Sequence, residues 1–178
     1  MRSEVTPFKL ALLSLNDKQA LLEFEKTNQS WFEAYIPARE NGFYTQTGIT
    51  KHINECLDFH GANEMLPMLI KSRDNHLLGR INLHSIDLNK RTAHLGYRIA
   101  QTATGQGITT LATKEISALC ESNYQLKTII ALTASDNLAS QKVLIRNAFD
   151  QIRTRSNYMR LNGQLIHCIE YHKSIHYS

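Results

Sequence analysis

The spacing of hydrophobic and polar residues predicts seven strands. Ile81 and Leu83 alternate with polar neighbours, which is the period of two expected for a strand with one buried face. The run "TIIALTA" is almost wholly apolar, as in a strand covered on both faces. The predicted strands cover residues 7–13, 65–72, 76–86, 93–100, 128–134, 151–161 and 165–172.

Apolar residues three and four positions apart predict four helices. The first is capped by Asn16 or Asp17 and runs to about Asn28, and the second covers 50–59. The aromatic-rich connection "SWFEAYIPARENGFYTQ" separates them. The third begins at about Gly107 and the fourth covers 137–147. The third helix has one apolar face, formed by Ile108, Leu111, Ala112, Ile116, Leu119 and Cys120.

The order of these elements, β-α-α-β-β-β-α-β-α-β-β, defines the fold class. Hairpin-linked strands precede a crossover helix and a second αβ unit, so we expect an α/β (α+β) fold with a mixed sheet and helices on both faces. The chain has 178 residues and shows no repeat, linker or low-complexity stretch. We therefore expect a single domain covering 1–178.

Composition narrows the compartment and the partners. No apolar segment approaches the roughly 18 residues that span a membrane, and the N-terminal apolar stretch is too short for a signal peptide. The three cysteines are far apart, which favours reduced thiols in a cytoplasmic protein. The net charge of +4 favours anionic partners, but no Lys/Arg run is present, so direct nucleic-acid binding is not expected.

The segment "LGYRIAQTATGQGITTLATKEI" carries the most specific local signal. A strand enters a small-residue turn with Gly105 and Gly107 and leaves at once as a helix. The unpaired amides at such a helix start suit a phosphate, although many turns of this kind are only connections. A nucleoside-triphosphate loop is excluded because Ile108 and Thr109 follow the second glycine, and a dinucleotide fingerprint is excluded because position 110 is Thr.

This segment resembles the acyl-CoA pyrophosphate motif of the GNAT acetyltransferases, and most closely the branch that acetylates the N-termini of ribosomal proteins. A second segment, "SDNLASQKVLIRNAFD", is similar to a downstream motif of the same family. The residues that match the first motif are Leu95, Gly96, Tyr97, Ile99, Gly105, Gly107, Ile108 and Ala112. Those that match the second are Asn137, Ser140, Val143, Leu144, Asn147 and Phe149.

Three positions depart from the family pattern. Thr102 stands where Arg or Gln is frequent, and Leu144 stands where many branches have a tyrosine that protonates the leaving thiolate. Ala148 replaces the usual glycine before Phe149. If the preceding helix ends in a left-handed residue, we expect Asn147 to adopt that conformation more readily than Ala148.

The resemblance implies acetyl-CoA as co-substrate and direct attack by an amine in a ternary complex. Backbone amides of the turn would hold the pyrophosphate, and the pantetheine arm would lie where 97–100 splays from 128–133. An N–H near Ile99 would polarise the thioester carbonyl. The implied cofactor-binding residues are Tyr97, Arg98, Ile99, Thr102, Ala103, Thr104, Gly105, Gln106, Gly107, Ile108, Asn137 and Ser140.

The resemblance also suggests two catalytic residues. Ser140 is the candidate proton donor to the leaving thiolate, with a helix-packing serine as the alternative. His94 is the candidate base, directly or through water, with a surface or packing histidine as the alternative; His84, His167 and Glu170 are weaker candidates. Asn137 contacts the pantetheine arm, caps the following helix, or does both.

The acceptor is the least constrained part. The resemblance implies an acceptor groove bordered by Trp31, Phe32, Tyr35 and Phe43 and faced by Tyr158, although ordinary core or rim packing is the favoured interpretation of each single residue. The acceptor is a primary amine, of a ribosomal or other protein N-terminus or of a small molecule such as a polyamine, amino acid or antibiotic. A non-catalytic acyl-CoA-binding module stays as an alternative. We expect no metal site and no membrane partner, and we keep a homodimer as an option.

Overall fold

A computed structural model describes residues 7–175, which form one seven-stranded sheet and five α-helices. The strands are β1 (Phe8–Leu12), β2 (Leu66–Ser72), β3 (Leu77–Asp87), β4 (Thr92–Ile99), β5 (Thr128–Ala134), β6 (Asp150–Leu161) and β7 (Gln164–Ser174). The helices are α1 (Lys18–Thr27), α2 (Gln29–Glu33), α3 (Gln46–Gly61), α4 (Ile108–Leu119) and α5 (Leu138–Arg146).

The predicted mixed sheet is confirmed. Its strand order is β1-β2-β3-β4-β5-β7-β6, and within the described residues β4 with β5 is parallel while the other neighbouring pairs are antiparallel. The turn at 161–164 has Asn162 at φ +48° and Gly163 at φ +80°, the left-handed pair expected of a two-residue hairpin loop. No helix within 7–175 is long and apolar enough to cross a membrane.

Two helices differ from the sequence prediction. The aromatic connection contains the short helix α2, which the burial of Phe32 stabilises despite a length too small to show a period. The predicted helix 50–59 begins four residues earlier, at Gln46. The reason is a cap, because the Thr45 side chain accepts a hydrogen bond from the Gly48 amide at 3.0 Å.

Successive residues of β4 point to helices on opposite faces of the sheet. The Tyr97 hydroxyl contacts Ser140 on α5, whereas the next side chain, Arg98, binds Glu25 on α1. The core fills the space between sheet and helices on both sides, with fully buried Ile53 on α3 and Ile116 on α4 among its members. The predicted placement of helices on both faces is therefore confirmed.

The parallel ladder between β4 and β5 is short. It runs from Thr92 with Thr128 to Leu95 with Ala131, and the two strands then separate. β4 continues beside β3 as far as Ile99, and β5 continues beside β7 as far as Ala134. The predicted splay is confirmed, and each diverging strand is held in place by its other neighbour.

The C-terminus of α5 corrects one expectation from the sequence. Ala148, not Asn147, adopts the left-handed conformation, with φ +58°, and the Phe149 amide donates to the Leu144 carbonyl at 3.1 Å. Asn147 keeps φ −99° because its side chain is engaged elsewhere. Its amide nitrogen donates to the carbonyls of Thr110 and Val143, which ties α5 to the first turn of α4.

Ala148→Gly is expected to stabilise the protein by about 1 kcal/mol, because glycine carries no Cβ penalty at positive φ. The same change at exposed Ala139, inside α5, should instead lower stability by about 0.5–1 kcal/mol. Denaturant unfolding of both variants measures the two signs. A loss of stability in Ala148→Gly would contradict the left-handed assignment.

Candidate functional site

The turn before α4 presents backbone amides to open space. Gly105 and Gly107 have φ +75° and +74°, and a Cβ on either would meet nothing within 4 Å. Leu111 is the first residue of α4 whose amide reaches back within the helix, to the Gly107 carbonyl at 3.1 Å. The amides of 108–110 precede that bond and have no intrahelical acceptor. This geometry, together with the positive end of the α4 dipole, suits an anion.

The rest of this turn is held by internal hydrogen bonds. The Thr104 hydroxyl donates to the Gln101 carbonyl at 2.7 Å, and the Gln106 amide donates to the Thr102 carbonyl at 3.1 Å. The side chains of Ala103 and Ile108 are buried and anchor the loop to the core. The structure thus brings the predicted residues 102–108 together in one turn, in which the amides of Ala103 and Thr104 donate to the carbonyls of Ala100 and Gln101.

Ser140 faces the splay from the start of α5. Its Oγ lies 2.8 Å from the Tyr97 hydroxyl, which also lies 3.2 Å from the Ser140 carbonyl oxygen. Burial raises the pKa of Tyr97 to about 12, so its hydroxyl stays a neutral donor. The Asn137 side chain accepts from the Ser140 amide at 3.1 Å, so Asn137 is the N-cap of α5, as one of its two predicted roles required. Leu144 is buried in the core.

His94 lies on the face of β4 opposite Tyr97. It is five residues before Ile99, a separation of roughly 16 Å along a strand. Its ring is 5.5 Å from that of His84 on the paired strand. Burial lowers the pKa of His94 below its ordinary value, so the imidazole is neutral at pH 7.

The structure places the aromatic residues predicted for the acceptor groove in different environments. Trp31 lies at the end of β4, where its indole N–H donates to the Ile99 carbonyl at 3.2 Å and its ring meets Tyr35 edge to face. Phe32 is buried in the core. Tyr158 is exposed on β6, with the Arg155 guanidinium over its ring.

A buried ionic cluster next to these residues was not predicted from the sequence. Glu25 on α1 is fully buried and binds Arg80 and Arg98 through its two carboxylate oxygens, at 2.8 and 3.0 Å. Arg80 also contacts His52 Nε2 at 2.8 Å. The Arg98 side chain, predicted to help bind the cofactor, is committed to this cluster on the other face. Arg80 and Arg98 lie 55 and 73 residues from Glu25 along the chain, so no local sequence pattern predicts these ion pairs.

Beside the cluster is a pocket of about 340 Å³ between α2 and the segment that leads to α3. Asn162, in the β6–β7 turn, donates to the Glu33 carbonyl at 3.5 Å and brings the hairpin against α2. The pocket is lined by Gln29, Glu33, Ala38, Arg39, Glu40, Asn41, Gly42, Tyr44 and Thr45.

Within residues 7–175, no group of three or more His, Cys, Asp or Glu side chains is placed to hold a metal ion. The three cysteines, Cys56, Cys120 and Cys168, are buried and unpaired with one another.

Comparison with known proteins gives two curated relatives from Bacillus subtilis (strain 168). The probable N-acetyltransferase YjcK is 26% identical over 153 residues, which is 85% of this chain and 84% of the relative. The putative ribosomal N-acetyltransferase YdaF is 26% identical over 173 residues, which is 95% of this chain and 88% of the relative.

Solved structures share the fold. The ribosomal-protein-S5-alanine acetyltransferase from Vibrio fischeri aligns with a TM-score of 0.91 at 20% identity, covering 96% of this chain and 94% of that one. RimL, the ribosomal L7/L12 alpha-N-protein acetyltransferase, in complex with coenzyme A, aligns with a TM-score of 0.89 at 21% identity, covering 96% of this chain and 95% of that one. The spermidine N-acetyltransferase from Vibrio cholerae, in complex with CoA and spermine, aligns with a TM-score of 0.82 at 15% identity, covering 95% of this chain and 96% of that one.

The family assignment rests on a match longer than these local motifs. Residues 8–150, well over half of the chain, match the family model of the acetyltransferase (GNAT) domain. The splayed strands, the open amides before α4 and the Ser140–Tyr97 pair all lie within that match. The chain belongs to the GNAT acetyltransferase family.

Proposed function

We propose that this enzyme transfers the acetyl group of acetyl-CoA to the N-terminal amine of a ribosomal or other protein. The observation that carries the proposal is the gap between β4 and β5, which opens beside a turn of outward-facing amides. The names of YdaF, RimL and the S5-alanine enzyme support the ribosomal class of acceptor. The spermidine enzyme supports small amines as the second class.

The pyrophosphate of the cofactor would bind at residues 102–108. The amides that precede Leu111 offer hydrogen bonds to phosphate oxygens, and the two left-handed glycines leave room for them. The pantetheine arm would then run through the gap toward Ser140.

The thioester carbonyl would be polarised by the Ile99 amide. The Ala100 amide donates to Leu78 on β3 at 2.8 Å. Because successive amides of a strand point to opposite sides, the Ile99 amide points away from β3 and toward the gap. Trp31, which binds the Ile99 carbonyl, lies on that same side. A preorganised donor would then lie beside the reacting carbon.

Ser140 would protonate the leaving sulfur. The amine forms the C–N bond and the C–S bond breaks; the Ser140 hydroxyl proton goes to sulfur, and serine regains a proton from solvent. When Tyr97 donates to the serine Oγ, the serine's own proton is directed to another acceptor. Tyr97 is thus a positioning residue for this step. The proton lost by the amine would reach His94 through water.

We place the reaction in the cytoplasm, where buried thiols such as Cys120 remain reduced.

Gly107→Asp should weaken acetyl-CoA binding about tenfold or more, because a carboxylate would stand beside the pyrophosphate at positive φ. Isothermal titration with acetyl-CoA measures the change. Gly163→Asp is the matched control, because Gly163 has the same backbone requirement, at φ +80°, in the β6–β7 turn. It should lose stability but keep its affinity. Equal affinities for both variants would reject the turn as the phosphate site.

Ser140→Ala should lower kcat about a hundredfold with little change in acetyl-CoA affinity. Tyr97→Phe should lower kcat about tenfold, and should add no loss in the Ser140→Ala background, because Tyr97 acts through Ser140. Steady-state kinetics of the double-mutant cycle tests this. Tyr171→Phe removes another hydroxyl that contacts α5, at Gln141, and should leave kcat unchanged. Additive losses would assign Tyr97 a purely structural role.

The pH dependence of kcat/KM tests His94. A base acts when neutral, so the rate should rise with pH and level off, with a midpoint below the ordinary histidine value of 6.5 because burial lowers the pKa of His94. His94→Ala should lose this limb. His76→Ala, at an exposed histidine of the β2–β3 turn, should retain it. A limb that persists in His94→Ala would assign the base elsewhere.

A further inference from the structure

In the ionic cluster beside the pocket, positively charged groups outnumber negatively charged ones. Three guanidinium groups, of Arg39, Arg80 and Arg98, surround the single buried carboxylate of Glu25. Glu25 binds Arg80 and Arg98, whereas the Arg39 side chain forms no ion pair or hydrogen bond with any of residues 7–175. Arg39 is partly buried and lines the pocket, and partly buried guanidinium groups are normally paired, so Arg39 can bind another anion.

The histidine in contact with the cluster, His52, adds no charge to it. His52 contacts Arg80 through Nε2, and burial together with the three arginines lowers its pKa to about 3. It is therefore neutral at pH 7 and accepts the hydrogen bond from Arg80. The nearby Cys56 thiol and Tyr44 hydroxyl have raised pKa values, mainly through burial, and are neutral as well.

Arg39 is fixed with part of its guanidinium in the pocket wall. Its Cζ lies 4.6 Å from the centre of the Phe43 ring, which holds the side chain in place. Its Nε is buried and has no acceptor in the described part of the chain. The planar fork of an arginine in such a position fits a carboxylate with two parallel hydrogen bonds.

The same pocket also contains an acidic side chain, that of Glu33. Glu33 accepts hydrogen bonds from the Gln29 amide at 2.9 Å and from the Tyr44 hydroxyl at 3.4 Å. An amine acceptor arrives as an ammonium ion before it loses its proton. The pocket therefore presents complementary partners for both ends of a molecule that carries an ammonium and a carboxylate.

Helix α2 connects the pocket to the proposed point of acetyl transfer. Helix α2 carries Glu33 and, two residues earlier, Trp31, whose indole binds the Ile99 carbonyl. Arg98 directly precedes Ile99 and retains 19% side-chain exposure.

We propose that this pocket recognises a carboxylate on the acceptor, and that Arg39 is its binding residue. The favoured substrates are primary amines with a carboxylate close to the reacting nitrogen. That group is either the side chain of an acidic second residue in a peptide or the α-carboxylate of a free amino acid. The proposal deepens the proposed function and rests on it for the identity of the reaction.

The first test compares two peptides that differ in one charge, Ala-Asp-Phe-Gly and Ala-Asn-Phe-Gly amides. The aspartyl peptide should have a kcat/KM about tenfold higher or more. In Arg39→Gln this ratio should fall toward one, and in Arg39→Lys, which keeps the charge but not the fork, it should take an intermediate value. Arg73→Gln, at an exposed arginine of the β2–β3 turn, should keep the full ratio. Equal rates for the two peptides in the unmodified enzyme would count against an acidic second residue.

The second test identifies the source of the carboxylate and separates this proposal from the reaction itself. Free alanine against alaninamide reports an α-carboxylate, and no preference in either pair would overturn the proposal. Calorimetric binding of the N-acetylated aspartyl and asparaginyl peptides, with CoA present, requires no turnover. Tighter binding of the acid that is lost in Arg39→Gln would support the carboxylate site even if no amine were acetylated. Equal binding of both products, together with equal rates, would reject it.

Discussion

The early end of the β4–β5 ladder is the constraint on which the rest of the site depends. Four residue pairs join the parallel strands before they part. β3 and β7 hold the outer edges, so the gap is built into the sheet. A parallel strand normally satisfies its edge with a neighbour. Here the unpaired edges beyond Leu95 and Ala131 are available to a ligand that resembles an extended chain.

Helix α1 holds the β4 side of this gap. Asn28, its C-cap, accepts a hydrogen bond from the Gln101 amide at 2.9 Å, and Glu25, one turn earlier, binds Arg98. The start of the turn before α4 and the end of β4 are therefore fixed to one helix. Removing one partner of a buried pair of this kind costs about 3–5 kcal/mol, so the cluster has a structural role as well as the proposed one in recognition.

Local patterns predicted the elements whose stabilisation is local. The apolar face and the glycines located α4, and the motif with Asn137 located the cap and the serine of α5. The five residues of α2 are too few to show a period, and its stability comes from Phe32 in the core. Ala148, rather than Asn147, adopts positive φ because the Asn147 side chain binds the Thr110 carbonyl of α4. These two residues are 37 positions apart, so the sequence around Ala148 does not show the contact. The Arg39 pocket is lined by residues 29–45 alone, but Arg80 and Arg98 beside it come from β3 and β4, and no local pattern predicts that proximity.

The chain contains one tryptophan, and its indole hydrogen bond to Ile99 places it at the mouth of the gap. The tryptophan fluorescence of this protein therefore arises from a single indole at the point where the two substrates would meet. Occupation of either side changes the polarity around that ring or the bond to its N–H. The molecule thus contains its own optical reporter, which can follow the order of substrate binding in stopped flow without a label.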